Sequence, residues 1–358
     1  FLAGAGIHEE ILDRLRIFAT EQKFLIGVRL LTGAIDARRA GKAFSDLADL
    51  AISAALDAVV AEFAIRHGKV AGGRIAVLGM GKLGSRELTA GSDVDMILLY
   101  DHDPDAEESD GEKGLAPAHY FARLTQRLIA AVSAPTAEGV LYELDLRLRP
   151  SGNKGPVATH IEAFRKYQRE DAWTWEHMAL TRARPVAGDG DLCAGVEAEV
   201  ADILARPRDA AKVFGDAAEM RATIAAEKPP RDIWDLKLIP GGQIDLEFIA
   251  QCARLTGSIE PDRWPPTSTG DGLARLTPDF CDAQTREELQ SAYALYLSLT
   301  QIIRLCLTGP FEPEDVPPGL ADLLLRSTDL PELSVLEAHI KETSKRIEGH
   351  FKALLRAG

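Results

Sequence analysis

The feature that most constrains this chain is a glycine-punctuated turn between two short apolar runs. Ile75-Ala76-Val77-Leu78 reads as a buried strand, Gly79-Met80-Gly81-Lys82-Leu83-Gly84-Ser85 ends it, and Met96-Ile97-Leu98-Leu99-Tyr100 reads as the next strand. From Arg86 to Thr89 there is room for about one turn of helix before Ser92, whereas a crossover between parallel strands takes roughly a dozen residues or more. Gly79, Gly81 and Gly84 also fit a dinucleotide fingerprint, with Asp101 about where a ribose-binding acid would lie. A dinucleotide-binding oxidoreductase is therefore a rival reading that the short connection disfavours. A P-loop is excluded, because Leu83 rather than Ser or Thr follows Lys82.

Ser92-Asp93-Val94-Asp95 leads into the second strand. Side chains alternate along a strand, so Asp93 and Asp95 project together while Val94 and Met96 turn to the core. Adjacent carboxylates repel unless a cation lies between them, and hard oxygen ligands suit Mg²⁺. Residues 141–148 read as a third strand, with Glu143, Asp145, Arg147 and Arg149 on one face and leucines on the other. Three acids on neighbouring strands can hold two Mg²⁺ ions against a nucleoside triphosphate, and Arg147 and Arg149 can add phosphate contacts. Backbone N–H groups at Gly84-Ser85, opening a short helix from Arg86, are further phosphate donors. The plainer reading makes Asp93 and Asp95 caps of a turn or a strand edge, and pairs Glu143 with Arg147.

The 358 residues are 46% hydrophobic, enough for a sizeable core and long for one ordinary domain. Residues 8–67 repeat apolar side chains at helical spacing, residues 118–132 read as an amphipathic helix, and the acidic stretch 101–113 as a solvated loop. Beyond Pro156 strand signals nearly vanish. Helical patterns run through 161–183, 192–204, 210–226, 244–255, 287–307 and 333–355, as in a helix bundle. Trp173, Trp175 and His177 sit at helical spacing around Met178 and Leu180 and read as packing. Lys237, Asp245 and Glu247 flank Gly241-Gly242 and fit either helix capping and packing or a second functional surface.

A net charge of -14, from 41 basic against 55 acidic residues, disfavours broad binding to nucleic acid. Cys193, Cys252, Cys281 and Cys306 are far apart, with no C-x-x-C pair, which fits a reducing cytoplasm rather than a disulfide framework or zinc ribbon. No apolar run reaches membrane-spanning length, and no secretory signal pattern is present. Beginning at Phe1, the chain reads as a piece of a longer polypeptide.

The Gly-Ser turn, the Asp-x-Asp strand and the later single Asp resemble the nucleotidyltransferase superfamily that includes DNA polymerase beta. A closer resemblance is to the bacterial bifunctional glutamine synthetase adenylyltransferase/adenylyl-removing family. It runs from Gly79 through Arg86-Glu87-Leu88-Thr89 to Asp95, then through Tyr142 to Gly152, Trp175-Glu176-His177, Leu180 to Arg184, Asp235-Leu236-Lys237, Gly241-Gly242 and Ile244 to Phe248. Ser85 stands where that family usually has glycine, and Gln243 where an apolar residue is commoner. Members resemble two related halves, one attaching AMP to a glutamine synthetase tyrosine and one removing it. The Gly-Met-Gly-Lys-Leu-Gly form and the Leu180 to Arg184 stretch resemble the C-terminal, attaching half.

The resemblance implies Asp93, Asp95 and Asp145 as metal ligands and catalytic acids. It implies Lys82, Gly84, Ser85, Arg147 and Arg149 as phosphate contacts, ATP as substrate, and glutamine synthetase and a PII-type signal protein as partners. The expected fold is α+β: a helical lead-in over residues 1–70, a small mixed-sheet nucleotidyltransferase core over 71–155, and a C-terminal helical bundle over 156–358. The expected activity is Mg²⁺-dependent transfer of AMP to a protein tyrosine, in the cytoplasm, with no nucleic acid or membrane partner. The phosphorolytic AMP-removing half and an inactive scaffold binding a signal protein are the other readings.

Overall fold

The computed structural model of this chain describes residues 8–260 and 268–355. Two long helices lead in, α1 (His8–Leu31) and α2 (Ala37–His67). The chain reverses between them at Gly33, whose φ of 75° costs glycine little, and Asp36 starts α2 by accepting from the Arg39 N–H. One face of α2 buries Phe44, Leu47, Ile52, Leu56, Val59 and Phe63, the spacing of an amphipathic helix.

The sheet is mixed. Strand β1 (Arg74–Gly79) pairs antiparallel with β2 (Val94–Asp101), from Arg74 opposite Asp101 to Gly79 opposite Met96. Both β3 (Leu144–Asp145) and β4 (Ala158–His160) run parallel to β2 along its other edge, β3 against residues 94–95 and β4 against 98–100. On the far side β5 (Arg184–Gly188) lies antiparallel to β1. The antiparallel β1–β2 pair removes the dinucleotide rival, which needs parallel strands joined by a crossover helix. Asp101, its ribose-binding candidate, is instead held by Arg74 at 2.5 Å.

Alternation along β2 divides the core into two layers. Val94, Met96, Leu98 and Tyr100, with Ile75 and Val77, pack against α1, α2 and α4 (Pro117–Ser133). Ile97 and Leu99, with Ala76 and Leu78, face the other way, toward α5 (Ile161–Glu170), α6 (Thr174–Leu180), α7 (Gly190–Ala205) and α9 (Gln243–Leu255). Helices α8 (Ala210–Glu227), α10 (Thr269–Ala274), α11 (Ala283–Cys306), α12 (Pro318–Thr328) and α13 (Leu333–Leu354) extend that second layer. The α+β expectation holds: a small mixed sheet with helices before and after it.

Several details depart from expectation. The third strand shrinks to two residues, because the chain turns at Arg147 and Leu148. The sheet also draws β4 and β5 from beyond residue 155, where only helices were expected. Residues 161–183 are consequently two short helices rather than one. Trp173 is 71% exposed and Trp175 39%, so the tryptophans are not core packing, although Met178 and Leu180 are buried. No helix among the described residues is long and apolar enough to cross a membrane.

Candidate active site

The parallel pairing of β2 with β3 places Asp95 directly opposite Asp145. Asp93, exposed just before β2, lies outside the strand but near enough for its charge to act on Asp95. Asp95 lies on the face of β2 that carries Ile97 and Leu99 toward the C-terminal helices, not on an open polar face. Burial lifts the Asp95 carboxyl above the usual carboxylate range; the charges of Asp145 and Asp93 push the same way, while Arg182 and Lys237 pull it down. Asp145 and Asp93 therefore both act on the Asp95 carboxyl.

Asp145 is in a different state. The Arg147 side chain donates Nε to both its oxygens, at 3.0 and 2.8 Å, and the Arg147 backbone N–H donates at 2.8 Å. Those bonds hold the Asp145 carboxyl below the usual range. Arg147 is thus engaged by Asp145, not by Glu143, which is exposed and whose carbonyl accepts from Val94. Arg149 folds back on its own loop, donating to the carbonyls of Leu146 at 2.7 Å and Gly155 at 3.4 Å. Among the described residues no group of three or more His, Cys, Asp or Glu side chains is arranged to hold a metal ion. The donors nevertheless fit a hard cation: carboxylates on facing strands, their repulsion only partly offset at Asp95 by Arg182 and Lys237, with Arg147's guanidinium standing as the positive charge at Asp145.

The glycine turn is built around this acid. A Cβ at Gly81 would lie 2.3 Å from Asp95 Oδ2, and Gly81 takes a φ of 51°, so both space and conformation call for glycine. A short helix α3 (Gly81–Gly84) follows. Its first-turn N–H groups, those of Gly81, Lys82 and Leu83, have no partner within the helix. Gly84 and Ser85 are placed otherwise than expected. Their N–H groups donate to the carbonyls of Met80 and Gly81, Ser85 is buried, and a Cβ at Gly84 would lie 1.7 Å from the Arg182 carbonyl oxygen. Gly84 admits another stretch of this chain rather than a phosphate. No helix opens at Arg86, which has a φ of 59° and pairs with Asp46 on α2.

A cationic group faces the acids. Lys82 lies under the C-terminal layer, and burial pushes its amine down to about 8. The charges acting on it are Glu247, which opposes, and Lys237, Arg182 and Arg304, which add to it. Arg182, in the turn before β5, sets Nη1 3.0 Å from Glu247 Oε1 on α9. Burial works against the Glu247 carboxylate, yet Arg182, Lys237 and Lys82 together hold it below the usual range. Asp245 has another role. It is buried, accepts from Arg221 and from the Gly241 N–H, and so fixes the turn before α9. Capping and packing thus describe Asp245 but not Glu247. Arg182 was not singled out in the sequence as a site residue, and no local spacing links residues 82, 182, 237 and 247.

Comparison with known proteins identifies the family. Residues 1–199 match the family model described as glutamate-ammonia ligase adenylyltransferase. Proteins named bifunctional glutamine synthetase adenylyltransferase/adenylyl-removing enzyme are similar along the whole chain. That of Mesorhizobium japonicum is 70% identical, that of Brucella suis 60% and that of Rhizobium meliloti 55%, each alignment covering 100% of this chain and 36% of the relative. The chain spans about a third of the length of these relatives. With more than half its residues inside the family model and high identity throughout, this chain belongs to the glutamate-ammonia ligase adenylyltransferase family.

Proposed function

We propose that this chain transfers AMP from ATP to a tyrosine hydroxyl of glutamine synthetase, releasing pyrophosphate, as the adenylylating half of a bifunctional enzyme. The observation that carries the reading is Asp95 opposite Asp145 across a parallel strand pair, with Asp93 close enough to raise the Asp95 carboxyl. Asp93 and Asp95 would hold Mg²⁺, with Asp145 joining once Arg147 swings aside; the exposed Arg147 side chain has room to do so. Bound there, Mg²⁺ supplies positive charge to the triphosphate oxygens.

The tyrosine oxygen bonds to the α-phosphorus, the bond to the β-phosphate oxygen breaks, and pyrophosphate departs. The tyrosine O–H, with an ordinary pKa of about 10, needs a nearby acceptor for its proton. Asp145, freed from Arg147, would take it. The wider reading, with a PII-type signal protein as regulatory partner, follows the family and not the geometry.

The test is to incubate the chain with glutamine synthetase, Mg²⁺ and ATP labelled at either the α- or the γ-phosphate. Label from the α-position alone is expected. Label from the γ-position would make the chain a kinase. No transfer, with phosphate-dependent release of AMP from adenylylated glutamine synthetase, would make it the removing half. Asp95→Asn should lower transfer on the order of a hundredfold or more while leaving thermal stability unchanged or raised, because it relieves repulsion with Asp145.

A further inference from the structure

We infer that Lys82 and Lys237, with Arg182 behind them and Glu247 fixing the group, form the receptor for the phosphate chain. The anion would be the β- and γ-phosphates of ATP, or free pyrophosphate or phosphate when the reaction runs back. This rests on the nucleotidyl-transfer reading and extends the site to the C-terminal layer, which supplies Lys237 and Glu247.

Three observations carry it. The first is position. Lys82 follows Gly81, against whose backbone the Asp95 carboxylate lies, and Arg182 and Lys237 both act on the Asp95 charge. The cations therefore lie near enough to the acids for Arg182 and Lys237 to act on Asp95, as an anion bridging a metal and a basic wall requires. The second is the clustering of cations. Lys237, Arg182 and Arg304 all act on the Lys82 amine, and Lys82, Arg182 and Lys237 all act on Glu247. The other acid acting on Arg182 is Glu87, whose own carboxyl burial pushes upward. Lys237 and Arg304 are exposed, so an anion from solvent can reach the group and lie between these cations.

The third is unmet hydrogen bonding. Arg182 Nε and Nη1 are buried with no acceptor in bonding geometry, although Nη1 stands close to Glu247. Glu247 alone thus fails to satisfy the group. A compact multivalent anion supplies both the charge and the acceptors. The extended backbone of a nucleic acid does not suit a chain with a net charge of -14.

The experiment is calorimetric titration of the whole chain with magnesium pyrophosphate, ATP and AMP, comparing Lys237→Ala and Lys237→Arg with the parent. Lys237 is exposed, so neither change threatens the fold. Losing one charge-assisted contact should weaken pyrophosphate and ATP by about tenfold or more, leave AMP within about twofold, and be largely restored by arginine. Unchanged pyrophosphate affinity in Lys237→Ala, or AMP weakened in parallel, overturns the inference while α-label transfer still upholds the parent reading. A parent chain that binds neither ATP nor pyrophosphate overturns both.

Discussion

Replacing Glu247 with glutamine separates charge from shape at the centre of the cationic group. Glutamine fills the same volume, so no cavity opens; what disappears is a negative charge on which Arg182, Lys237 and Lys82 all act. The Arg182 and Glu247 side chains are only 16% and 13% exposed, which decides the scale. An exposed pair contributes about 0–1 kcal/mol, whereas breaking a buried one by removing a partner costs about 3–5 kcal/mol. At roughly 1–2 °C per kcal/mol for a chain of this length, the midpoint of thermal unfolding should fall by about 5 °C at pH 7 in phosphate-free buffer. Scanning calorimetry measures this directly. Folding depresses the Glu247 carboxyl, so its contribution is fully present above the unfolded value of 4.5 and is lost as the pH falls through the folded one. Parent and variant should converge in acid. Added pyrophosphate should narrow the gap at pH 7, since an anion at a hundred times its dissociation constant contributes about 2.7 kcal/mol and the variant has more unbalanced charge to satisfy. A variant melting within about 2 °C of the parent would refute the argument from burial. A gap unmoved by pyrophosphate would refute the claim that these cations await an anion.

Two glycines give opposite expectations. Gly84→Ala drives a methyl into the Arg182 carbonyl and should cost about 3 kcal/mol, whereas Gly215→Ala, mid-helix with nothing within 4 Å, should add about 0.5–1 kcal/mol; denaturant titration ranks them, and equal effects would sink the close-approach account. Burial lowers Lys82 from 10.5 to about 8, so between these values the unfolded chain holds a proton that the folded one has released, and stability rises with pH across that window. Lys82→Met should therefore be the more stable protein at pH 7 and lose that advantage toward pH 10, among the same neighbours Glu247, Lys237, Arg182 and Arg304; parallel urea-unfolding profiles for the two proteins would contradict this.

What the sequence disclosed and what it hid follow from the range of the interactions. Ile75 to Leu78, Met96 to Tyr100 and the helices 210–226 and 244–255 were legible because an element's period is written in its own residues. The strands that carry Asp95 and Asp145 were legible for the same reason: the apolar run after Asp95 marked β2, and the alternating positions around Asp145 marked its strand even though only two residues pair. β5 was hidden by Pro185, which suits an edge strand and sits where the register with β1 slips between Val77 and Leu78. Gly84 was misassigned because a glycine that admits a phosphate and one that admits a passing carbonyl read alike. Asp245 and Glu247 differ by about 200° around one helix, so one is committed to Arg221 and the turn while the other meets Arg182. Choosing between them requires knowing which side of α9 meets the sheet, a fact fixed by side chains a hundred and more residues away. Asp95 and Asp145 come from two strands of one sheet, whereas their counter-charges come from a turn, a loop and a helix that only the folded chain brings together. Substitutions at residues 182, 237 and 247 should therefore disturb anion binding as a coupled set, and their effects should fail to add, in contrast to substitutions far from the site.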